Sequence, residues 1–330
     1  MYKKLKYIFL SLPILLLGCS QCFEELNTNP NAPVYVQPSL LLRQVIYDYG
    51  DEMAYEGFVA GNLLGQYLTA IDFNLFDRHS LSEPQFGGIP WPTIYTNLRD
   101  NELILEAARN NNALRVYEGP ALVLKAYMSA ALTDMYGDVP YIEALKGSEG
   151  IVTPQYDSQE AIYTASNGIL ANLEKAISLM EAYNGAIQVQ GDILFNGNLA
   201  GWIKFAQSLR IKALMRISGR QSVSANLQAI YDAGNYLKTN AENATFDFAP
   251  SQPNNFRMAN LRAGDFNLFI MSETMEEILK DLDDPRMSVF FRPTANQPTE
   301  FRGLLNGPDA SQTSISVADF SLSGRIFREE

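Results

Sequence analysis

The fold class is decided by one stretch of the chain, GPALVLKAYMSAALTDMY at positions 119–136. Apolar side chains occupy almost every side of a helix drawn through this stretch, which predicts a buried helix. Pro120 suits the first turn of that helix, where its missing N–H costs no hydrogen bond. Gly137 suits the position just after the helix, where a left-handed backbone is favoured. The stretch therefore predicts a helix that lies inside a helical core.

Helical spacing of apolar residues recurs along the chain, whereas strand patterns are few. Two short apolar runs flank Gly191-Asp192 and predict a small hairpin over 187–195, and residues 245–248 alternate. We expect a mostly α protein of antiparallel helix pairs, with few short strands and long irregular loops. No strict repeat is visible, so a stack of helix pairs would be degenerate, and a generic helical domain is the alternative. The predicted helices cover 40–68 (with glycine interruptions), 91–108, 119–136, 157–180, 199–217, 224–237 and 272–281.

The N-terminus has the pattern of an export signal. Three lysines precede an apolar run over residues 7–17, which is too short for a membrane span of about 20 residues. The run ends in Leu16-Leu17-Gly18-Cys19, which resembles a bacterial lipobox. We expect residues 1–18 to be a lipoprotein signal peptide, Cys19 to be the lipid attachment site, and residues 19–38 to be a lipid-anchored tether. The alternative is an ordinary secretory peptide with a chance cysteine.

Composition excludes several classes of function. The net charge is −12, and removing residues 1–18 deletes three lysines and no acids, which leaves −15. Such an acidic chain repels phosphate backbones, so we expect no nucleic-acid partner. The chain has one histidine, His79, and two cysteines, so a zinc cluster of His and Cys ligands is not possible. We expect no metal, no cofactor and no catalytic residue.

Aromatic residues are concentrated in a loop-like region before residue 92. Aromatic side chains on loops are costly to expose unless they are covered or used. Sugars present apolar faces that stack on aromatic rings, and their hydroxyls need polar partners. We therefore predict a ligand-binding role for five residues, and the alternative is that their rings pack on the helices. The five are Phe73, Asn74, Phe76, Phe86 and Trp91.

Other motifs predict structure rather than ligand contact. Asp157 with Glu160 resembles a capping box and predicts an N-cap at Asp157. Trp202 and Arg210 lie on an apolar helix and are expected in the core and in a buried ion pair. The acidic group over 281–284 could bind Ca²⁺, but it lacks the glycine and distal glutamate of an EF-hand loop, so a solvated helix end is favoured.

Several segments, taken in order, resemble one family over nearly the whole chain. The family is that of the SusD and RagB outer-membrane lipoproteins, within the subgroup whose mature start reads like LNTNPNAP. The matching segments are FEELNTNPNAP at 23–33, WPTIY at 91–95, LTDMYGDVPY at 132–141, PQYDSQ at 154–159, GWIKFAQSLR at 201–210 and DPR at 284–286. The resemblance implies a tetratricopeptide-like stack of helix pairs over residues 39–330. Family members are usually longer, so the resemblance also implies that C-terminal helices are missing.

The resemblance also implies a function and a location. A SusD-like protein is an outer-membrane, lipid-anchored protein at the cell surface, and it is not an enzyme. It captures nutrient ligands, most often glycan oligosaccharides and sometimes peptides, and delivers them to a TonB-dependent transporter of the SusC type. Two alternatives are kept open. One is a surface glycan hydrolase with a carboxylate pair, and the other is a purely protein-binding helical scaffold.

Overall fold

The computed structural model describes residues 36–72, 75–81, 87–260, 267–308 and 315–323. The described residues from Pro38 onward belong to one compact unit. The lipid attachment site predicted at Cys19 lies outside the described residues.

Helices make up most of the described structure. A π-helical turn, Gly57–Gly61, joins the first helix directly to the second, so the region predicted as 40–68 is interrupted where its glycines occur. In chain order the helices are α1 (Pro38–Glu56), α2 (Asn62–Leu64), α3 (Pro90–Asn110), α4 (Glu118–Tyr136), α5 (Gln159–Thr164), α6 (Ile169–Glu181), α7 (Leu199–Ile217), α8 (Ser224–Ala233), α9 (Glu273–Asp281) and α10 (Met287–Phe290). Short 3₁₀ turns cover Asn112–Tyr117, Gly147–Glu149, Asn240–Glu242, Arg257–Asn260 and Val317–Asp319.

The long helices stack on one another in nearly sequential order. Helix α1 packs on α3, α3 on α4, α4 on α6, and α6 on α7. Their apolar faces form one cluster, called here the main core. Helix α4 contributes to it from several sides, as its sequence predicts. The prediction of a mostly α protein built from helix pairs is therefore confirmed. The largest fully buried side chains of the main core include Trp202, Tyr163, Leu42, Ile94, Ile104, Leu105, Leu122 and Met128.

A small sheet closes a second cluster of apolar residues. Strand β1 (Leu68–Ala70) pairs antiparallel with β2 (Phe269–Met271), with Leu68 opposite Met271. The two strands lie about 200 residues apart in sequence, and neither was predicted. Around them packs the second core, which consists of Phe58, Val59, Ala60, Leu63, Leu68, Ala70, Phe76, Met258, Phe269, Met271, Leu279 and Phe291.

The hairpin predicted over 187–195 is wrong. Residues 187–192 form no strand, residues 193–197 form turns, and the Asp192 side chain organises those turns. Its carboxylate accepts hydrogen bonds from the backbone N–H groups of Leu194, Phe195 and Gly197 and from Nε1 of Trp202 at 2.8 Å. These backbone donors are satisfied locally, so they do not need a strand partner. Residues 245–248 are not a strand either.

The N-cap predicted at Asp157 is also wrong. The cap of α5 is Ser158, whose side chain accepts from the Ala161 N–H. The Asp157 carboxylate instead accepts from the backbone N–H groups of Tyr141 at 3.0 Å and Ile142 at 2.7 Å. It thereby holds the segment after α4 in place. The single helix predicted over 157–180 is two helices, α5 and α6, because the chain breaks between Thr164 and Ile169.

Of the two expectations for α7, that for Trp202 is confirmed, because this residue is fully buried in the main core. Arg210 forms an ion pair with Glu174 of α6 at 2.5 Å, but the pair is not buried: the Arg210 side chain is 15% exposed and that of Glu174 is 56% exposed.

Candidate functional site

Three aromatic rings meet where the start of α3 lies beside the end of α4. The ring centroids of Trp91 and Tyr95 are 5.0 Å apart. Those of Trp91 and Tyr136 are also 5.0 Å apart, in an edge-to-face arrangement with an interplanar angle of 82°. These spacings are typical of favourable aromatic pairs. We call Trp91, Tyr95 and Tyr136 the aromatic platform.

Local sequence explains how each ring reaches the platform. Pro90 opens α3, and Trp91 and Tyr95 are four residues apart, so they lie on one face of that helix. Tyr136 is the last residue of α4, which ends at Gly137 with φ of +76°. The Tyr95 hydroxyl donates to the Pro140 carbonyl at 2.6 Å, which holds this ring against the segment leaving α4.

A buried carboxylate supports the loop that leads into the platform. Glu56, at the end of α1, is 6% exposed. Its two oxygens accept from the Gly88 N–H at 2.8 and 2.6 Å. Gly87 has φ of +69°, and a Cβ there would lie 2.5 Å from Cγ2 of Val59 and 2.9 Å from Glu56 Oε1. Only glycine fits this approach, so residues 87–89 are held tightly just before Trp91.

Burial sets the electrostatics of the site. Burial raises the pKa of Glu56 above its ordinary value, although the Gly88 N–H opposes the shift. Burial also raises the pKa of Tyr136, against a hydrogen bond from the Trp91 N–H. The pKa of Tyr95 is raised by burial first and then by Tyr156 and Asp157. Both tyrosines therefore stay protonated at neutral pH. The Tyr95 hydroxyl already donates to the Pro140 carbonyl, so only Tyr136 can donate a hydrogen bond to a ligand.

The platform has an exposed apolar and polar rim. Tyr136 is 42% exposed, and Tyr156 beside Tyr95 is 66% exposed. Ile89, two residues before Trp91, and Met135, one residue before Tyr136, are also exposed. Trp91 and Tyr95 are partly buried and pack against the main core. Tyr136 and Tyr156 therefore supply the exposed aromatic surface and the hydroxyl groups that a ligand could contact.

The structure separates the five residues predicted to bind ligand. Trp91 lies in the platform. Phe76 is 7% exposed and belongs to the second core, so its ring packs inside the protein. Phe73, Asn74 and Phe86 lie outside the described residues.

Sequence reasoning missed the other members of the site. Tyr95 was detectable from its i,i+4 spacing to Trp91. Tyr136 was detectable only as an aromatic residue at a helix end, and its position beside Trp91 is a tertiary contact. Nothing in the sequence pointed to Glu56 or Tyr156.

The acidic group over 281–284 does not gather around a common centre. Asp284 accepts hydrogen bonds from Nε and the backbone N–H of Arg286, and these bonds lower the pKa of Asp284 to about 2. Within the described residues, no group of three or more His, Cys, Asp or Glu side chains is placed to hold a metal ion. Nor does any helix in the described part of the chain have the length and apolar character to cross a membrane.

Solved structures share this fold. A SusD homolog from Bacteroides fragilis is 25% identical, with a TM-score of 0.71 over 89% of this chain and 63% of that chain. A SusD/RagB family protein from Bacteroides thetaiotaomicron is 22% identical, with a TM-score of 0.63 over 88% and 62%. A chitin-binding protein is 22% identical, with a TM-score of 0.67 over 87% and 64%.

The chain thus spans less than two thirds of the length of these structures. A search of curated proteins finds no sequence that matches it. A family model, SusD-like, described as starch-binding associating with outer membrane, matches residues 30–328. Because that match covers most of the chain, the protein belongs to the SusD-like family.

Proposed function

We propose that this protein captures nutrient ligands at the cell surface and that the aromatic platform contacts them. Glycan oligosaccharides are the favoured ligands, and peptides are the second class. The exposed edge of Tyr136 beside Trp91 and Tyr95 carries the proposal. An oligosaccharide presents flat apolar faces with hydroxyls at their edges, which matches rings bordered by tyrosine hydroxyls. The family description as starch-binding, and the fold shared with a chitin-binding protein, support the glycan class.

The same proposal includes delivery to a transporter. The protein passes its ligand to a TonB-dependent SusC-like partner in the outer membrane. It is held there by lipid on Cys19 and by the tether of residues 19–38, after removal of a signal peptide. Several acyl chains on one cysteine would anchor it stably, since each buried methylene contributes about 0.8 kcal/mol. Labelled palmitate should enter the wild-type protein and not the Cys19→Ala variant. Co-purification of a SusC-like protein tests the partner.

The binding test uses two exposed tyrosines of the site. For any oligosaccharide that the wild-type protein binds, Tyr136→Ala and Tyr156→Ala should each weaken the affinity by about tenfold. This is the size of effect typical of well-placed aromatic contacts. Tyr231→Ala is the control, because Tyr231 is 67% exposed on α8 and lies outside the platform. Isothermal titration calorimetry with maltooligosaccharides, chitooligosaccharides and short peptides measures affinity.

Fluorescence locates the ligand independently. The chain has two tryptophans, Trp91 and Trp202, and only Trp91 lies in the platform. In a Trp202→Phe variant, ligand should change the emission of Trp91. Unchanged affinity in both tyrosine variants, together with unchanged Trp91 emission, would remove the platform from the proposal.

The two alternatives give different results in the same assays. A hydrolase would release shorter sugars from the oligosaccharides, which chromatography of the incubated mixture would detect. A protein-binding scaffold would bind no sugar or peptide and would still retain a protein partner. The nutrient-binding proposal expects binding without product release.

A further inference from the structure

An extended segment lies on α1 at residues 243–249. These residues form no helix, strand or turn. Their exposure alternates, since residues 243, 245 and 247 are exposed whereas residues 244, 246 and 248 are half-buried. A period of two is that of an extended chain. The alternating pattern of residues 245–248 therefore marks an extended segment that has no strand beside it.

Aromatic rings hold this segment on α1. Phe246 and Phe248 lie two residues apart on the same side, with ring centroids 5.1 Å apart. Both contact the Tyr47 ring of α1, at centroid distances of 5.7 and 5.9 Å. The Phe246 ring also fills the space beside Gly50, where a Cβ would lie 2.8 Å from its Cζ. The segment is therefore held in its extended form before any partner binds, which lowers the entropic cost of binding.

The backbone of this segment has unpaired groups. Within the described part of the chain, the N–H and C=O groups of Phe246, Asp247 and Phe248 make no hydrogen bond. Backbone bonding resumes at once, because the Ala249 N–H donates to the Asn254 carbonyl at 2.8 Å. A row of unpaired N–H and C=O groups on an extended chain is a template for a further strand. Residues 246–248 therefore offer an edge to which a second extended chain can add.

Charge favours one kind of chain at this edge. Asp247 lies between the two phenylalanines and is exposed. Among the described residues, neither Asp247 nor Asp48, which follows Tyr47 on α1, forms an ion pair. The next carboxylate of α1, Asp51, pairs with Arg257 at 2.6 Å. The unpaired charge here is therefore negative, which favours a chain with basic side chains.

We propose that residues 244–248 bind an extended basic peptide by strand addition. The peptide backbone pairs with the N–H and C=O groups of Phe246 and Phe248, which share one edge because they are two residues apart. Apolar side chains of the peptide lie next to the phenylalanine rings, and a basic side chain lies next to Asp247. Main-chain bonds supply affinity for many sequences, as capture of mixed peptides requires. This inference rests on the proposed function in that peptides are among the captured ligands, and it is independent of the platform.

The test uses the full chain, purified in detergent, and a blocked peptide of alternating lysine and valine. Calorimetry should show binding, and the peptide should slow amide hydrogen exchange at residues 246–248 by at least about tenfold. A strand edge bonds alternate residues of the added chain. N-methylation of the valines and N-methylation of the lysines should therefore differ, with one series losing at least about tenfold in affinity and the other staying close to the parent peptide. A peptide of alternating glutamate and valine should also bind at least about tenfold more weakly.

Two pairs of variants locate the site on the protein. Gly50→Ala places a Cβ where the Phe246 ring lies and should weaken peptide binding by at least about tenfold. Gly219→Ala is its control, because no atom lies within 4 Å of a Cβ there. Asp247→Lys should weaken binding of the lysine peptide by about threefold or more, the size of one exposed ion pair, and it keeps the test valid if Gly50→Ala fails to fold. Glu181→Lys, at an exposed carboxylate that ends α6, should leave affinity unchanged.

Several results would overturn this site. They are absence of peptide binding, equal binding of both N-methylated series, and slowed exchange only outside residues 246–248. A dimer in analytical ultracentrifugation whose amides at 246–248 are already protected without peptide would give the edge to a second copy of the chain. Oligosaccharide binding without peptide binding would overturn this site and leave the proposed function standing. Peptide binding at this edge, together with unchanged Trp91 emission for every ligand, would instead remove the platform and keep this site.

Discussion

The main core and the second core are built in different ways. The main core joins helices that follow one another along the chain, such as α3 with α4 and α6 with α7. The second core joins residues 58–76 to residues 258–291. There, the Ser272 hydroxyl hydrogen-bonds to the Gln66 carbonyl across more than 200 residues. The first cluster rests on local periodic patterns, whereas the second requires two distant segments to meet.

The two cores should form at different costs during folding. Contacts close in sequence cost little loop-closure entropy, and distant contacts cost more. The helix stack can therefore gain stability from neighbouring pairs, while the second core forms only when segments about 200 residues apart are brought together. The loop of residues 87–89 lies at the boundary between the two, because Glu56 ends α1 and Val59 belongs to the second core. Substitutions in each region test this view.

The largest effect should come from the main core. Trp202 is fully buried and donates from Nε1 to Asp192 at 2.8 Å. Trp202→Ala should lower the free energy of unfolding by about 3–5 kcal/mol. Urea unfolding followed by circular dichroism measures the loss. Trp202→Phe keeps an aromatic ring and should lose less. A loss below about 1 kcal/mol for Trp202→Ala would show that the stack does not depend on this residue.

The second core should respond more locally. Met271 of β2 is fully buried, and Met271→Ala should cost about 2–4 kcal/mol. Amide hydrogen exchange should rise in β1 and β2 while amides of α4 and α6 stay close to wild type, because local opening need not unfold the stack. Equal loss of protection in both regions would mean that the two cores unfold as one unit.

The boundary loop should show a smaller loss. Gly87→Ala places a Cβ against Val59, and it also forces alanine to adopt the φ of +69° that glycine has there. We expect a loss of about 1–3 kcal/mol, together with weaker ligand binding, because the loop leads into Trp91. Gly147→Ala is the control, since no atom lies within 4 Å of a Cβ there. If Gly87→Ala has wild-type affinity and stability, residues 87–89 do not support the platform.

The smallest effect concerns pH. The pKa of Glu56 is raised in the fold by burial, so the folded state disfavours its charged form. Wild-type stability should therefore fall relative to Glu56→Gln as the pH rises from 4.5 through the higher folded-state pKa, and the difference should then level off. Urea unfolding at a series of pH values measures it. If the free energy of unfolding depends on pH in the same way in both proteins, Glu56 is not the source of the pH dependence.

Some local predictions were correct because they depend on short-range physics. The apolar pattern of α4 and its glycine stop appear in the structure, with α4 ending at Tyr136. Helix α7 has the predicted bounds, Leu199–Ile217. Periodicity predicts which face of a helix is apolar, and a buried face needs no knowledge of its partner.

Two of the wrong predictions, the hairpin over 187–195 and the N-cap at Asp157, concern aspartates whose carboxylates accept from other backbone N–H groups than expected. Asp192 satisfies the backbone of the predicted hairpin, and Asp157 holds Tyr141 and Ile142 rather than capping α5. A short polar side chain can serve either role, and sequence spacing does not distinguish them. Phe76 was predicted at a ligand surface and lies in the second core because β1 and β2 close over that region.

What the sequence determined by itself was the helical class, the bounds of the strongest helices and the family resemblance, because these depend on periodic patterns and motifs within short stretches. What only the tertiary structure decided was which distant groups meet. It placed Tyr136 beside Trp91 and the Glu56 carboxylate on the Gly88 N–H. Such contacts join residues that are far apart in the chain, and their geometry is set by packing rather than by local pattern.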